Sequence, residues 1–249
     1  MKDAAYWDQI TTGFLSHRHQ GIWREFTDQL NQAMIAELLT SSPAHRILKT
    51  DLFDEALLNG VVAPMTRIAS EIHGIDISGV VARTAAAKYP KANFKQASVT
   101  QIPYPDHQFD TVISLSTLDQ LETMEEVHQG LSEIYRVLSP GGRLLVTFDN
   151  LSNPLIALRK YLPFIRSSYF MGESVTVAGL KPLLESEGFQ LQRSFTYMHA
   201  PRVVAVKICR LLEHKPYAPT IAKLRLFEAL DKWPTRNWTA NYIGALVQK

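Results

Sequence analysis

From residue 45 to residue 148, short apolar runs alternate with stretches whose apolar residues recur every three or four positions. That alternation predicts βαβ units around a parallel sheet. The strands fall at about 46–50, 73–77, 93–96, Phe109–Leu115 and Arg143–Phe148, with helices at about 62–72, 80–88 and 124–138. Pro90 stops the second of these helices, and Ser139-Pro140-Gly141-Gly142 is a strong turn signal before the last strand. Upstream, Tyr6, Trp7, Ile10 and Phe14, then Trp23, Phe26, Leu30, Met34, Ile35 and Leu38, mark two helices, the second closed by Thr40-Ser41-Ser42-Pro43. Downstream the pattern predicts a helix at 177–187 with Thr176 as its cap, and an edge strand at 189–198. Two more helices follow at 201–214 and 219–232, with a last strand at 242–248. The expected organisation is a helical cap over residues 1–44, an α/β core over 45–150, and 151–249 as the remainder of the same domain.

The turn after the first strand carries the first chemistry. Residues 46–55 read Arg-Ile-Leu-Lys-Thr-Asp-Leu-Phe-Asp-Glu, so Thr50, Asp51, Leu52, Asp54 and Glu55 lie where a doubly wound sheet binds a cofactor. A diphosphate loop would be glycine-rich, to bring backbone N–H groups onto the anion. Here no glycine comes before Gly60, and the three acids suit a cation. Solvated acids at a helix N-terminus are the alternative. Asp76 and Ile77 end the second strand, 25 residues beyond Asp51. An acid there can accept hydrogen bonds from ribose hydroxyls. It could instead cap the next helix, a role open to Ser78.

Composition narrows the setting. The chain has 249 residues, 46% hydrophobic and 20% charged, as in ordinary globular proteins. A single cysteine, Cys209, excludes an intrachain disulfide and a cysteine-based zinc cluster, and a reducing cytoplasm is the expected location. The first residues lack the apolar stretch of a secretion signal, and no run of apolar residues is long enough to span a membrane. The net charge of +2 is unevenly spread: residues 151–249 carry 14 Lys and Arg against 6 Asp and Glu, while residues 1–150 carry 12 against 18. The basic half suits an anionic substrate, an anionic partner or a membrane surface. Residues 151–172, basic, aromatic and interrupted by Pro163, fit a packed connecting helix or a peripheral membrane contact. No metal-ligand spacing is present. The scattered basic residues, with no aromatic stacking module, do not point to nucleic acid.

Five stretches then resemble one family, the class I S-adenosylmethionine-dependent methyltransferases that act on small molecules. They are Ile47–Glu55; Gly74-Ile75-Asp76-Ile77-Ser78; Ile102-Pro103-Tyr104-Pro105 running into Phe109-Asp110; Tyr135-Arg136-Val137-Leu138-Ser139-Pro140-Gly141-Gly142; and Glu187-Gly188-Phe189. The resemblance implies a Rossmann-like, seven-stranded, mostly parallel sheet with helices on both faces. It implies S-adenosyl-L-methionine as cofactor, Asp76 at the ribose, Ser98 and Val99 near the adenine, and Ser114 among the cofactor-binding residues. For residues 151–172 it implies an acceptor-lining segment instead of a connecting helix or a membrane contact. One departure is large. Lys49 stands where the family has an acid, and Asp51, Phe53 and Glu55 replace three glycines. A bacterial methyltransferase-like subgroup is similar here, at Ser116-Thr117-Leu118-Asp119 and at Asp149-Asn150. The expected activity is methyl transfer to a small-molecule or lipid-linked acceptor, taken to be anionic, with Asp119 and His199 as candidate bases. The alternative is an inactive methyltransferase-like partner or scaffold. A dehydrogenase is disfavoured by the missing diphosphate turn.

Overall fold

The computed structural model describes residues 2–17, 21–39, 44–161 and 170–249; the expected stop at 40–43 and the stretch 162–169, with Pro163, lie outside the described residues. The elements are α1 (Ala4–His17), α2 (Gly21–Leu39), β1 (Ala44–Lys49), α3 (Phe53–Leu57), α4 (Val62–Ile68), β2 (Ala69–Asp76), α5 (Gly79–Lys88), β3 (Asn93–Gln96), β4 (Phe109–Leu115), α6 (Met124–Val137), β5 (Leu138–Asp149), α7 (Pro154–Tyr161), α8 (Val177–Ser186), β6 (Gln190–Tyr197), α9 (Arg202–Leu211), α10 (Tyr217–Arg225), α11 (Arg236–Thr239) and β7 (Tyr242–Gln248). Two 3₁₀ segments, Leu118–Gln120 and Leu226–Lys232, follow β4 and α10.

The seven strands form one sheet in the order β3-β2-β1-β4-β5-β7-β6. The first five are parallel, and β7 runs antiparallel to both β5 and β6. Side chains alternate across the sheet. Leu48, Val112 and Leu144 pack on one face with Leu131 and Ile134 of α6 and Leu180 and Leu184 of α8. Their neighbours Ile47, Ile113 and Leu145 pack on the other with Met34, Ile35 and Leu38 of α2 and Met65 of α4. Two buried faces explain why these strands are continuously apolar rather than alternating. Each fully buried leucine or isoleucine here contributes roughly 1.5–3 kcal/mol.

The helix expected at 219–232 is α10 over Tyr217–Arg225 followed by the 3₁₀ segment Leu226–Lys232, and two strands begin earlier than expected. β2 begins at Ala69, because the preceding helix ends at Ile68 and Ala69 pairs with Ala44 of β1. β5 begins at Leu138. Leu138 pairs with Phe109 and Arg143 with Thr111, so the Ser139–Gly142 turn bulges out of a strand that was expected to start after it. β1 lies between β2 and β4, so strand order reverses there, and the carboxyl ends of these strands open a crevice. α1 and α2 lie over that end of the sheet. Asp8 of α1 accepts hydrogen bonds from the Ser78 hydroxyl and, at 3.1 Å, from Val80 N–H, so α1 is fastened to the start of α5.

Candidate functional site

A cavity of about 200 Å³ occupies the crevice. Its floor is Lys49, Thr50 and Asp51 after β1, Asp76 and Ile77 after β2, Ala97 and Val99 after β3, and Leu115, Ser116 and Thr117 after β4. Trp7 and Ile10 of α1 and Trp23, Arg24, Asp28 and Asn31 of α2 cover it. Tyr197, Met198, Arg202 and Tyr242 close the far side.

The acidic loop carries its own cation. Lys49 turns inward from the last position of β1. Its ammonium donates to the Asp51 carbonyl at 2.6 Å and the Asp51 carboxylate at 3.0 Å, and stands 2.9 Å from Glu55 Oε2. Burial alone would push the Lys49 pKa down, but the attraction of Asp51 and Glu55 outweighs it and holds the ammonium charged. Burial pushes Glu55 up, against the pull of Lys49. Asp54 pairs with Arg24 of α2 at 2.7 Å, and the Arg24 guanidinium is stacked against Phe14 and Phe53. The three loop acids, expected to hold a bound cation, are therefore committed to Lys49 and Arg24. Glu55 Oε1 also accepts Val61 N–H at 2.8 Å. Gly60, beside it, has φ +54°, and a Cβ there would lie 2.3 Å from Glu55 Oε1. The loop's one glycine is thus required for close approach to the carboxylate.

Asp76 is buried at the tip of β2. Its Oδ2 accepts Leu52 N–H at 2.9 Å and its Oδ1 accepts Ser78 N–H at 2.8 Å. Ser78 Oγ accepts Val81 N–H, so Ser78 and not Asp76 caps α5. Burial raises the Asp76 pKa to about 7, with the two N–H donors opposing the rise. Asp28, on α2, is also buried. Its Oδ2 accepts from Gly60 N–H at 2.8 Å and Asn59 N–H at 3.2 Å, whereas Oδ1 has no hydrogen-bond partner among the described residues. Burial, then the negative charge of Asp54, pushes the Asp28 carboxyl up. Two further cavity residues leave a buried oxygen without a hydrogen-bond partner among the described residues, Asn31 Oδ1 and Gln120 Oε1. Buried acceptors without donors carry a cost that a ligand bearing N–H or O–H groups removes.

The other expected site residues divide clearly. Thr50, Asp51, Asp54, Glu55, Asp76, Ile77 and Val99 line the cavity; Leu52, Ser98 and Ser114 do not. Leu52 packs its side chain with Ala56, Val81 and Ala85, and only its N–H serves the site, through Asp76. Ser98 bonds Thr100. Ser114 accepts from Thr50 Oγ1 at 3.0 Å, and Thr50 also meets Thr117 at 2.9 Å, a hydroxyl chain tying the β1 and β4 loops together.

Neither expected base faces the cavity. Asp119 is fully buried. Its Oδ2 accepts from Ser116 Oγ at 2.9 Å and Asp149 N–H at 2.7 Å, and burial followed by the Asp149 charge raises its pKa. It braces the β4 loop, holding Ser116 at φ +53°. His199 lies outside the cavity, its Nδ1 2.8 Å from Thr239 Oγ1 and its Nε2 3.5 Å from Asp231. The backbone turns at Met198, with φ +61°, and presents Met198 to the cavity instead. Sequence reasoning missed Trp7, Trp23, Arg24, Asp28 and Asn31. The one signal available was an arginine and an aspartate at positions 24 and 28 on a helix that also buries Trp23 and Phe26.

Residues 58–146 match the family described as a methyltransferase domain, a match that begins just past the acidic loop. A probable S-adenosylmethionine-dependent methyltransferase of Mycolicibacterium smegmatis is 25% identical over 66% of this chain and 61% of its own length. The ubiquinone/menaquinone biosynthesis C-methyltransferase UbiE of Geotalea daltonii is 32% identical over 48% of this chain and 50% of its own. The chain therefore spans between half and two thirds of these curated relatives. Among solved structures, the N-methyltransferase NodS of Bradyrhizobium japonicum, in complex with S-adenosyl-L-homocysteine, aligns over 99% of both chains with a TM-score of 0.64 at 12% identity. That likeness establishes the fold.

Proposed function

Since the chain belongs to the class I S-adenosylmethionine-dependent methyltransferase family, we propose that it transfers a methyl group from S-adenosyl-L-methionine to a small-molecule or lipid-linked acceptor that carries negative charge. The observation that carries this reading is the set of unpartnered buried oxygens on Asp28, Asn31 and Gln120. They line one cavity with Asp76 at its floor. All are acceptors, and a ligand with an ammonium, an amino group and ribose hydroxyls supplies the donors they lack. The residues present fit the cofactor. Asp76 meets the ribose, Ile77, Val81, Ala97 and Val99 offer apolar walls for a purine, and Asp28 with Asn31 receives the ammonium. In place of the glycines, Lys49 pairs with Asp51 and Glu55 and offsets their charge at the cavity wall.

When bound, the cofactor supplies an electrophilic methyl on a sulfonium. The chain's own residues then do three things. Trp7 and Trp23 exclude water over the crevice. Asp28, Asn31 and Asp76 fix the donor, which sets the direction of displacement. Arg202 orients the acceptor. It lines the cavity 3.5 Å from the Asp149 carboxylate and over the Tyr242 ring, near enough to pair with an acceptor anion. Tyr197 and Tyr242 make that end suitable for a flat ring, which agrees with the quinone-biosynthesis role named for the Geotalea relative.

The test is transfer of labelled methyl to extract fractions by wild type and by Arg202→Gln. Wild type is expected to label an acceptor, and Arg202→Gln to raise its KM at least ten-fold with unchanged cofactor affinity. A folded wild type that binds no S-adenosylmethionine would favour a scaffold role.

A further inference from the structure

We propose that α9, the 3₁₀ segment Leu226–Lys232 and α11 form a face that docks on an anionic lipid surface, beside the acceptor end of the cavity. Among the described residues, every large apolar side chain that is exposed, apart from Leu15, falls between Leu155 and Trp238. The most open are Leu226 at 75% exposure, Leu211 at 74%, Trp238 at 63% and Trp233 at 60%. These side chains are not left over from a poorly formed core. The inner positions of α9, Ala205 and Cys209, and of the adjoining α10, Ile221 and Leu224, are buried against Ile22, Trp23 and Phe26 of α2. α9 is thus apolar on both sides: Ala205 and Cys209 face inward, while Val204, Ile208 and Leu211, at i, i+4 and i+7, form an outward stripe.

The pieces meet at one corner. The Asn153 side chain, which precedes α7, donates to Thr239 O and Ala240 O at the end of α11. Asn241 donates to Met198 O and Ala200 O just before α9. α10 and α11 both pack on the 3₁₀ segment. Arg202, the first residue of α9, lines the cavity, and the next two residues, Val203 and Val204, are exposed. The apolar face therefore begins where the acceptor end of the cavity opens.

Charge selects the occupant. Residues 202–236 carry eight Lys and Arg against three acids. The acids are used within the fold. Glu213 accepts Gly21 N–H, Glu228 accepts the N–H groups of Met198 and His199, and Asp231 accepts the Thr196 hydroxyl. Lys207, Lys215, Lys223, Lys232 and Arg236 are exposed. A second copy of this chain would oppose the same basic face with itself, which repels. Bulky aliphatic side chains offer nothing to phosphates or base edges, which disfavours nucleic acid. Aliphatic and tryptophan side chains ringed by lysine match the headgroup boundary of an anionic membrane. Docking needs neither cofactor nor acceptor, so it stands apart from the methyl-transfer reading. Its link to a lipid-linked acceptor rests on that reading.

The experiment is co-sedimentation of the full chain with vesicles of phosphatidylglycerol and phosphatidylcholine in equal parts, and with phosphatidylcholine alone, without cofactor. Partition onto the anionic vesicles is expected, weakened at high salt. The double variant Trp233→Ser/Trp238→Ser is expected to reduce it about ten-fold or more, as is Lys223→Glu/Lys232→Glu, with Lys91→Glu on the opposite half as an unaffected control. Circular dichroism checks that each variant folds. Failure of the folded wild type to partition would overturn the proposal, as would partition unaltered by both double variants. Tighter retention by an oligonucleotide would also overturn it, as would a stable dimer that Leu211→Glu dissociates. Loss of methyl transfer with vesicle binding intact would count only against the catalytic reading.

Discussion

The Lys49 ammonium stands 2.9 Å from the Glu55 carboxylate, in the loop that follows β1 at the cavity. The pair is sealed from solvent, so each charge depends on the other. Lys49→Met is expected to destabilise the protein by about 3–5 kcal/mol, because it strands Glu55 and half-buried Asp51 without a counter-ion. Lys49→Met/Glu55→Gln is expected to recover a large part of that loss, since it removes the stranded charge. Urea unfolding of both variants checks this. Equal losses in the two would show that the ion pair is not what holds the loop.

Gly60 belongs to the same assembly. With φ +54° and a Cβ position 2.3 Å from Glu55 Oε1, Gly60→Ala is expected to cost about 2–4 kcal/mol, from backbone strain and displacement of Glu55 together. The thermal midpoint reads the loss. A change within the error of measurement would mean the loop adapts freely.

Asp76 gives the site a pH dependence. Its pKa is raised by burial from 3.8 to about 7, so the folded protein holds a proton that the unfolded chain has lost. Its contribution is fully present below the unfolded value and is lost as pH rises toward 7, so stability falls across that window. Asp76→Ala is expected to flatten this part of the profile of unfolding midpoint against pH. S-adenosylmethionine affinity is expected to move the opposite way, rising with pH through about 7 as the Asp76 carboxylate ionises and on toward about 8 as Asp28 does. An Asp76→Ala profile parallel to wild type would contradict the assignment.

Much of this architecture can be read from residue order alone. The limits of β4 and β7 follow from dense apolar runs bounded by turn residues, and the antiparallel edge from the weaker alternation of β6; β3, whose one apolar residue is Phe94, follows only from its place in the strand–helix alternation. Ala69-Ser70-Glu71-Ile72 is strand where the sequence pattern predicts the end of a helix, because alanine and glutamate suit a helix and only pairing with β1 makes the segment a strand. The floor of the cavity was legible for the same reason as the sheet: a doubly wound fold fixes which strand ends face the crevice. Its roof was not. Arg24 and Asp28 sit among Trp23 and Phe26 on one helix, and only the approach of α2 to the β1 loop decides that they reach Asp54 and Gly60. The expected bases were misplaced by local backbone: a left-handed turn at Met198 sends His199 toward Thr239, and Asp119 spends both oxygens inside the β4 loop.

The roof itself can be loosened. Asp8→Ala removes the bonds from α1 to Ser78 and Val80. It is expected to lower global stability by no more than about 1–2 kcal/mol while amide exchange over residues 4–17 rises at least ten-fold. Uniform acceleration across the sheet would instead indicate that α1 is integral to the core.

Titration calorimetry of S-adenosylmethionine into wild type, Asp28→Asn and Asp76→Ala, each checked for folding, tests the central claim most directly. Micromolar binding by wild type, weakened ten-fold or more in each variant, is the expected result. Wild-type binding that neither variant alters, or none from a folded wild type, would contradict the account.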